Sequence, residues 1–88
     1  MEIEFDPAKN LRNIATRGLP LALGAVVLAY LVGEVEDSRR DYGERRMIAF
    51  GMVAGRLLCA VYTRRGTVTR IISLRKANRT EEGIWLGS

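Results

Sequence analysis

From Arg45 to Leu74 the chain keeps a period of two, with Val, Ile, Phe, Leu and Tyr recurring at alternate positions. The pattern breaks only at Ala54-Gly55 and Arg65-Gly66. Turns that short leave one option, because parallel strands need a crossover of a dozen residues or more. Residues 45–53, 56–64 and 67–74 are therefore predicted to form an antiparallel meander joined by tight hairpins. With two residues in each loop, one face carries Arg46, Ile48, Phe50, Met52, Leu57, Cys59, Val61, Val68, Arg70, Ile72 and Leu74. The other carries smaller residues, Ala49, Gly51 and Ala60, among Met47, Leu58 and Ile71, rimmed by Arg45, Tyr62, Arg64, Ser73 and Arg75. The bulky face is expected to receive the helices, and the second to stay open as a shallow groove. One extra loop residue would exchange the two faces.

The segments before and after the meander supply the helices. Ile3 and Phe5 alternate with Glu2 and Glu4, a short strand. Asp6-Pro7 reads as a helix start, and Gly18 after Arg17 as its stop, with Ala8, Leu11, Ile14 and Ala15 at helical spacing between them. Residues 18–33 carry no charge. A membrane span wants about 20 apolar residues, and this run is shorter and has Pro20 near its start. A helix buried against the sheet is the expected outcome. Residues 34–41 form an acidic strand or connection, followed by a turn through Tyr42-Gly43. Asn78-Arg79-Thr80-Glu81 has the form of a capping box opening a short last helix with Trp85 on it. Strand, helix, helix, three strands, helix is an α+β order, and 88 residues suit one domain spanning 1–88.

Composition narrows the chemistry. The chain has no histidine, which excludes Ser–His and Cys–His nucleophile pairs and histidine-containing zinc sites. No carboxylate cluster suggests a metal, and no cofactor motif is present. The one cysteine, Cys59, lies in an apolar run and is expected to pack in the core. A lone cysteine suits a reducing compartment, and Glu2, Glu4 and Asp6 stand where a secretory leader would be positive, so a cytoplasmic location is expected. The net charge of +4 is unevenly spread. Residues 1–44 hold five basic and eight acidic side chains, and residues 45–88 hold nine basic and two acidic. Between Arg45 and Thr80 there is no acid, and eight of the nine cations in the second half are arginine. Guanidinium forks match phosphate, so a polyanion or an acidic protein partner is expected. A solvated face balanced by the acidic half is the plainer alternative.

Three groups of residues resemble the BrnT toxins. Glu4-Phe5-Asp6-Pro7-Ala8-Lys9, with Asn10 or Asn13 and then Gly18, is similar to their opening. Asp41-Tyr42-Gly43-Glu44 with Arg46 and Gly51 resembles their central motif. Val61-Tyr62-Thr63 with Arg65, then Arg70-Ile71-Ile72-Ser73-Leu74-Arg75-Lys76-Ala77 and Glu81, resembles their closing signature. The resemblance implies a RelE-like fold and a growth-arresting endoribonuclease. It also implies neutralisation by a DNA-binding antitoxin, BrnA, so that DNA is met only through the antitoxin and the pair represses its own operon. The chain departs from the family pattern at Thr16-Arg17, usually Lys-His, and at Trp85, commonly tyrosine. A module that docks an antitoxin or nucleic acid without cutting is the competing reading.

An RNase of this kind can work without metal or histidine by using the substrate's 2′-OH as nucleophile, provided that it orients the attack and stabilises the phosphorane. Arg64 and Arg75 are the expected phosphate stabilisers, and Tyr62 or Ser73 the groups that orient an oxygen. Arg45, Arg46, Arg70, Lys76 and Arg79 are the expected RNA contacts, with pairing to Glu44 the structural alternative for Arg46 and Arg70. Tyr42 and Tyr62 are expected to pack rather than to serve as base-stacking platforms. An acidic amphipathic antitoxin segment is expected on the apolar floor formed by Met47, Leu58, Ala60 and Ile71, paired with Arg64, Arg75 and Arg79.

Overall fold

The computed structural model describes residues 1–87. The alternating stretches are strands β3 (Met47–Val53), β4 (Arg56–Arg65) and β5 (Val68–Lys76), antiparallel as expected. Ala54 and Gly55 both take positive φ, 49° and 78°, so Val53 and Arg56 pair across a two-residue turn that follows the strand twist. The second loop falls one residue later than expected, at Gly66-Thr67, with Arg65 opposite Val68. That displacement moves the pairing by two positions and leaves the faces unchanged.

A bulge does change them. Tyr62 pairs with Ile71, but Val61 pairs with Ser73, which leaves Ile72 as an extra residue. Beyond it Leu74 and Lys76 stand opposite Ala60 and Leu58, and Arg75 stands opposite Cys59. The expected faces therefore hold as far as Ile71 and are exchanged after it. Arg75 leaves the side of Tyr62 and Arg64.

The sheet has two further strands, β1 (Glu2–Glu4) and β2 (Leu31–Glu36), in the order β1-β5-β4-β3-β2. β1 runs parallel to β5, so the antiparallel meander is part of a mixed sheet. The uncharged run is divided as well. It forms a 3₁₀ turn (Leu21–Leu23), helix α2 (Gly24–Ala29) and the start of β2, where a single buried helix was expected. Leu31, Val32 and Val35 suit a strand pairing with β3, and the helix stops at Tyr30. No single helix among the described residues is long and apolar enough to cross a membrane. Pro7–Arg17 and Leu21–Ala29 have the composition only together, and they meet at 92°.

The 3₁₀ turn and α2 lie on the face expected to be open. Leu21 and Val27 pack with Ala49, Leu58, Ala60, Tyr62, Ile71 and Leu74 in one buried cluster. Small residues explain the choice, because they let the α2 backbone come down onto β3 and β4. A methyl group on Gly51 would overlap the Val27 carbonyl, and one on Gly24 would sit 2.8 Å from the Ile71 side chain. The apolar floor proposed for an antitoxin is thus already covered: Ala60, Ile71 and Leu58 are 0%, 1% and 3% exposed. The bulky face is not bare either. Phe50, Leu57 and Cys59 form a second cluster with Ile48, Met52, Ala77 and Trp85. Helix α3 (Arg79–Leu86), started by the expected Asn78–Glu81 capping box, lays Trp85 on Phe50 with ring centroids 5.1 Å apart.

Helix α1 (Pro7–Arg17) has the expected ends. Asp6 Oδ1 accepts the Ala8 N–H at 2.9 Å, and Gly18, at φ 69°, donates its N–H to Ile14 O at 2.8 Å. Beyond the end of β1 the helix takes over the free edge of β5, where Asn13 Nδ2 donates to Leu74 O at 3.0 Å.

The α2–sheet approach gives a direct test. Gly51→Ala should destabilise the chain by about 1–3 kcal/mol, since the backbone of α2 must move to admit one methyl. Thermal unfolding of the purified variant checks this, and an unchanged midpoint would mean that α2 does not sit that close.

Candidate active site

α2 covers the sheet only near Gly51. Toward the other end of β3 and β4 the same face opens into a pocket of about 490 Å³, lined by Glu34, Glu44, Arg45, Met47, Tyr62, Thr63 and Arg64. Strand alternation puts Tyr62 and Arg64 on this face, and the pairing of Glu34 with Ala49 brings a carboxylate from β2 beside them. The Tyr62 ring is buried, and its hydroxyl donates to Glu34 Oε1 at 2.5 Å. Burial, reinforced by Glu34, pushes the Tyr62 hydroxyl pKa up, so the phenol stays protonated at neutral pH.

Arg64 sits with its guanidinium carbon 5.3 Å from the Tyr62 ring centroid and donates to Thr69 Oγ1 at 3.1 Å. Among the described residues no carboxylate lies within 4.0 Å of it. Glu44, at the rim, receives Arg46 and Arg65, each at 3.3 Å. Burial pushes the Glu44 carboxyl up, but the two arginines outweigh it and hold the group below its usual range. Arg45 donates to Glu36 at 2.8 Å, and its carbonyl accepts the Thr63 hydroxyl at 2.7 Å. The Glu34 carboxylate, the Tyr62 phenol and the Arg64 guanidinium, unpaired among the described residues, therefore converge in a single pocket.

Of the four expected catalytic residues, the structure brings together Tyr62 and Arg64 only. Ser73 lies beside α1, in a smaller pocket of about 280 Å³ with Lys9, Arg12, Asn13, Thr16, Arg17 and Ile72. Arg75, carried to the opposite face by the bulge, makes two 2.8 Å bonds to Glu81. That contact raises the Arg75 pKa and lowers that of Glu81, whose Oε1 also accepts the Asn78 N–H. Arg75 thereby ties β5 to the start of α3. Among the expected RNA contacts, Arg46 pairs with Glu44 as the structural alternative had it, and stacks over Tyr42 at 4.1 Å. Arg70 pairs with Glu4 of β1 at 3.4 Å rather than with Glu44. Lys76 and Arg79 have no carboxylate within 4.0 Å among the described residues.

Two acidic residues escaped sequence reasoning. Glu34 was read only as part of an acidic stretch, although it is the first charge after an uncharged run. Asp37 is 4% exposed and accepts two 2.7 Å bonds from Arg39. Cys59 packs in the core as expected, and burial pushes its thiol up, away from nucleophilic use. No three His, Cys, Asp or Glu side chains gather as a metal site among the described residues.

Residues 5–81 match the family model described as ribonuclease toxin, BrnT, of type II toxin–antitoxin system. The chain belongs to that family, a ribonuclease toxin whose system supplies an antitoxin. A search among curated proteins finds no match.

Buried Asp37, held by the exposed Arg39, predicts an acid-labile element. The Arg39 hydrogen bonds, acting against burial, hold the Asp37 carboxyl at about 2, below the roughly 3.9 of an unfolded chain. A folded-state pKa below the unfolded one stabilises above pH 4 and is lost as pH falls from about 4 toward 2. Asp37→Asn should therefore be less stable than the parent at pH 7, with the gap narrowing through that window. Urea unfolding at pH 7, 4 and 3 checks it, and a constant gap would refute the assignment.

Proposed function

We propose that the toxin cleaves RNA in the pocket of Glu34, Tyr62 and Arg64 by a metal-independent attack of the substrate's own 2′-OH. The convergence of those three side chains carries the reading. Glu34 takes the 2′-OH proton, and the 2′ oxygen forms its bond to phosphorus. Arg64, with no carboxylate to compete for it among the described residues, receives the charge that develops on the phosphoryl oxygens. The P–O5′ bond breaks, and Tyr62 protonates the departing 5′ oxygen. The proton on Glu34 returns to Tyr62 across the hydrogen bond that joins them. The products are a 2′,3′-cyclic phosphate and a 5′-OH, with both side chains restored.

Two of the expected RNA contacts stand at this centre: Arg45 lines the pocket, and Arg46 shares Glu44 at its rim with Arg65. They suit the phosphates flanking the cut. Arg70, opposite Thr63, lies on the other face of the sheet and pairs with Glu4. Lys76 and Arg79 lie toward the other end of β5 and suit a more distant stretch of chain. Ser73 and Arg75 are assigned no chemical step here, since the first faces α1 and the second is engaged by Glu81. The domain acts as one unit over residues 1–88, with a RelE-like arrangement supported by the meander with helices packed on it. It works in the cytoplasm, opposed by a BrnA-like antitoxin that binds DNA.

Arg64→Ala and Glu34→Gln should each reduce cleavage of single-stranded RNA by on the order of 10²-fold or more. EDTA should leave the parent activity intact, and the products should carry 2′,3′-cyclic phosphate ends. Full activity in either variant would remove the pocket from the chemistry, and a chain that binds RNA without ever cutting it would make the domain a docking module.

A further inference from the structure

Helix α1 is seated with its polar side inward. Asn10 Oδ1 accepts the Leu21 N–H at 2.8 Å, and Asn13 Nδ2 donates to the carbonyls of Leu19 and Leu74 at 2.7 and 3.0 Å. Arg17, one turn on from Asn13, reaches Leu74 O at 3.4 Å. At about 3.6 residues per turn this orientation aims Ala8, Leu11 and Ala15 outward, with Ile14 beside them. All four are exposed, Leu11 at 68% and Ile14 at 40%. An apolar stripe at helical spacing normally faces a core, yet this one has nothing against it.

The flank of that stripe is basic. Lys9, Arg12 and Arg17 line the smaller pocket against β5, with Asn13, Thr16 and Ser73 between them. The helix contains no acid, and none of the three cations has a carboxylate within 4.0 Å among the described residues. An occupant must therefore offer apolar side chains and negative charge on adjoining sides.

We propose that α1 is the docking surface for an acidic, amphipathic segment of the antitoxin. Its apolar side covers Leu11 and Ile14, and its carboxylates enter the pocket of Lys9, Arg12 and Arg17. The proposal rests on the type II pairing and adds the place and chemistry of the contact. A second copy of the chain would set like charges against each other. RNA would pair with the cations and leave the apolar stripe in water. A bilayer would gain little from a helix of 11 residues with two large apolar side chains. The surface adjoins β5, whereas Glu34 lies on β2 at the opposite edge of the sheet, so docking and cleavage separate experimentally.

The test titrates the purified toxin with the purified product of its adjacent reading frame. Leu11→Ser with Ile14→Ser, and Lys9→Glu with Arg12→Glu, should each weaken the complex at least about tenfold. Folding and the RNA cleavage of the free toxin should be unchanged, since all four side chains are exposed, and the charge-reversed pair should flatten the salt dependence. Parent-like affinity in both pairs would overturn the placement while leaving the toxin–antitoxin pairing intact. Failure of the parent toxin to bind would overturn the pairing and the placement together. The proposal also falls if these variants keep antitoxin affinity but lose single-stranded RNA binding, self-association in sedimentation, or binding to phosphatidylcholine–phosphatidylglycerol vesicles.

Discussion

The close seating of α2 on β3 and β4 is the contact on which the remaining architecture depends. A helix of six residues has no stability of its own, so it exists because the sheet beneath it lets its backbone come close. Ala49, Gly51 and Ala60 permit that approach, and Val27 and Leu21 then reach complete burial. Burying two such side chains contributes roughly 3–6 kcal/mol, a large share of what a small domain can gather. Because α2 is short, it covers only one end of the sheet. The pocket at the other end is the area that it fails to reach.

That dependence explains which parts of the fold could be read in advance. Strand periodicity, the Asp6-Pro7 start, the Gly18 stop and the Asn78–Glu81 box are local signals, set by neighbours a few residues away, and each element formed where they indicated. The choice of face depends on which surface can admit a backbone, and side-chain bulk pointed the wrong way. Large apolar residues on Ile48, Phe50 and Met52 indicated a core but could not say which partner fills it. One exposed-looking tryptophan on a short terminal helix proved sufficient for that side. The parallel pairing of β1 with β5 joins opposite ends of the chain, and no local pattern encodes it.

The site was legible in the same uneven way. Tyr62 and Arg64 stand two apart on one strand, so alternation alone placed them together. Grouping them with Ser73 and Arg75 required the register to hold across two strands, and the single extra residue at Ile72 broke it. A bulge adds one residue to a strand without any composition signal here, since Ile72 is as strand-like as its neighbours. Glu34 was missed for another reason: its importance comes from a hydrogen bond to a tyrosine far away in sequence, which only the β2–β3–β4 pairing creates.

The arginines show how charge is divided between holding the fold and serving its partners. Arg39, Arg45, Arg46, Arg65, Arg70 and Arg75 all have carboxylate partners, and those with Glu4 and Glu81 stitch β5 to β1 and α3. Four of the nine cations in the second half of the chain, Arg45, Arg46, Arg65 and Arg70, are thus answered by acids from the first half. Among the described residues, eight of the fourteen cations have no carboxylate within 4.0 Å: Arg64 in the pocket, Lys9, Arg12 and Arg17 beside α1, and Arg40, Arg56, Lys76 and Arg79 elsewhere. Exposed ion pairs contribute little to stability, and they also lower the field that a distant polyanion feels. A paired guanidinium therefore offers less to a phosphate than one left open, such as Arg64. In the proposed reading, the open Arg64 serves a phosphodiester and the basic, apolar flank of α1 serves an acidic protein, and the two surfaces stand apart on the sheet because Glu34 is on β2 and α1 adjoins β5.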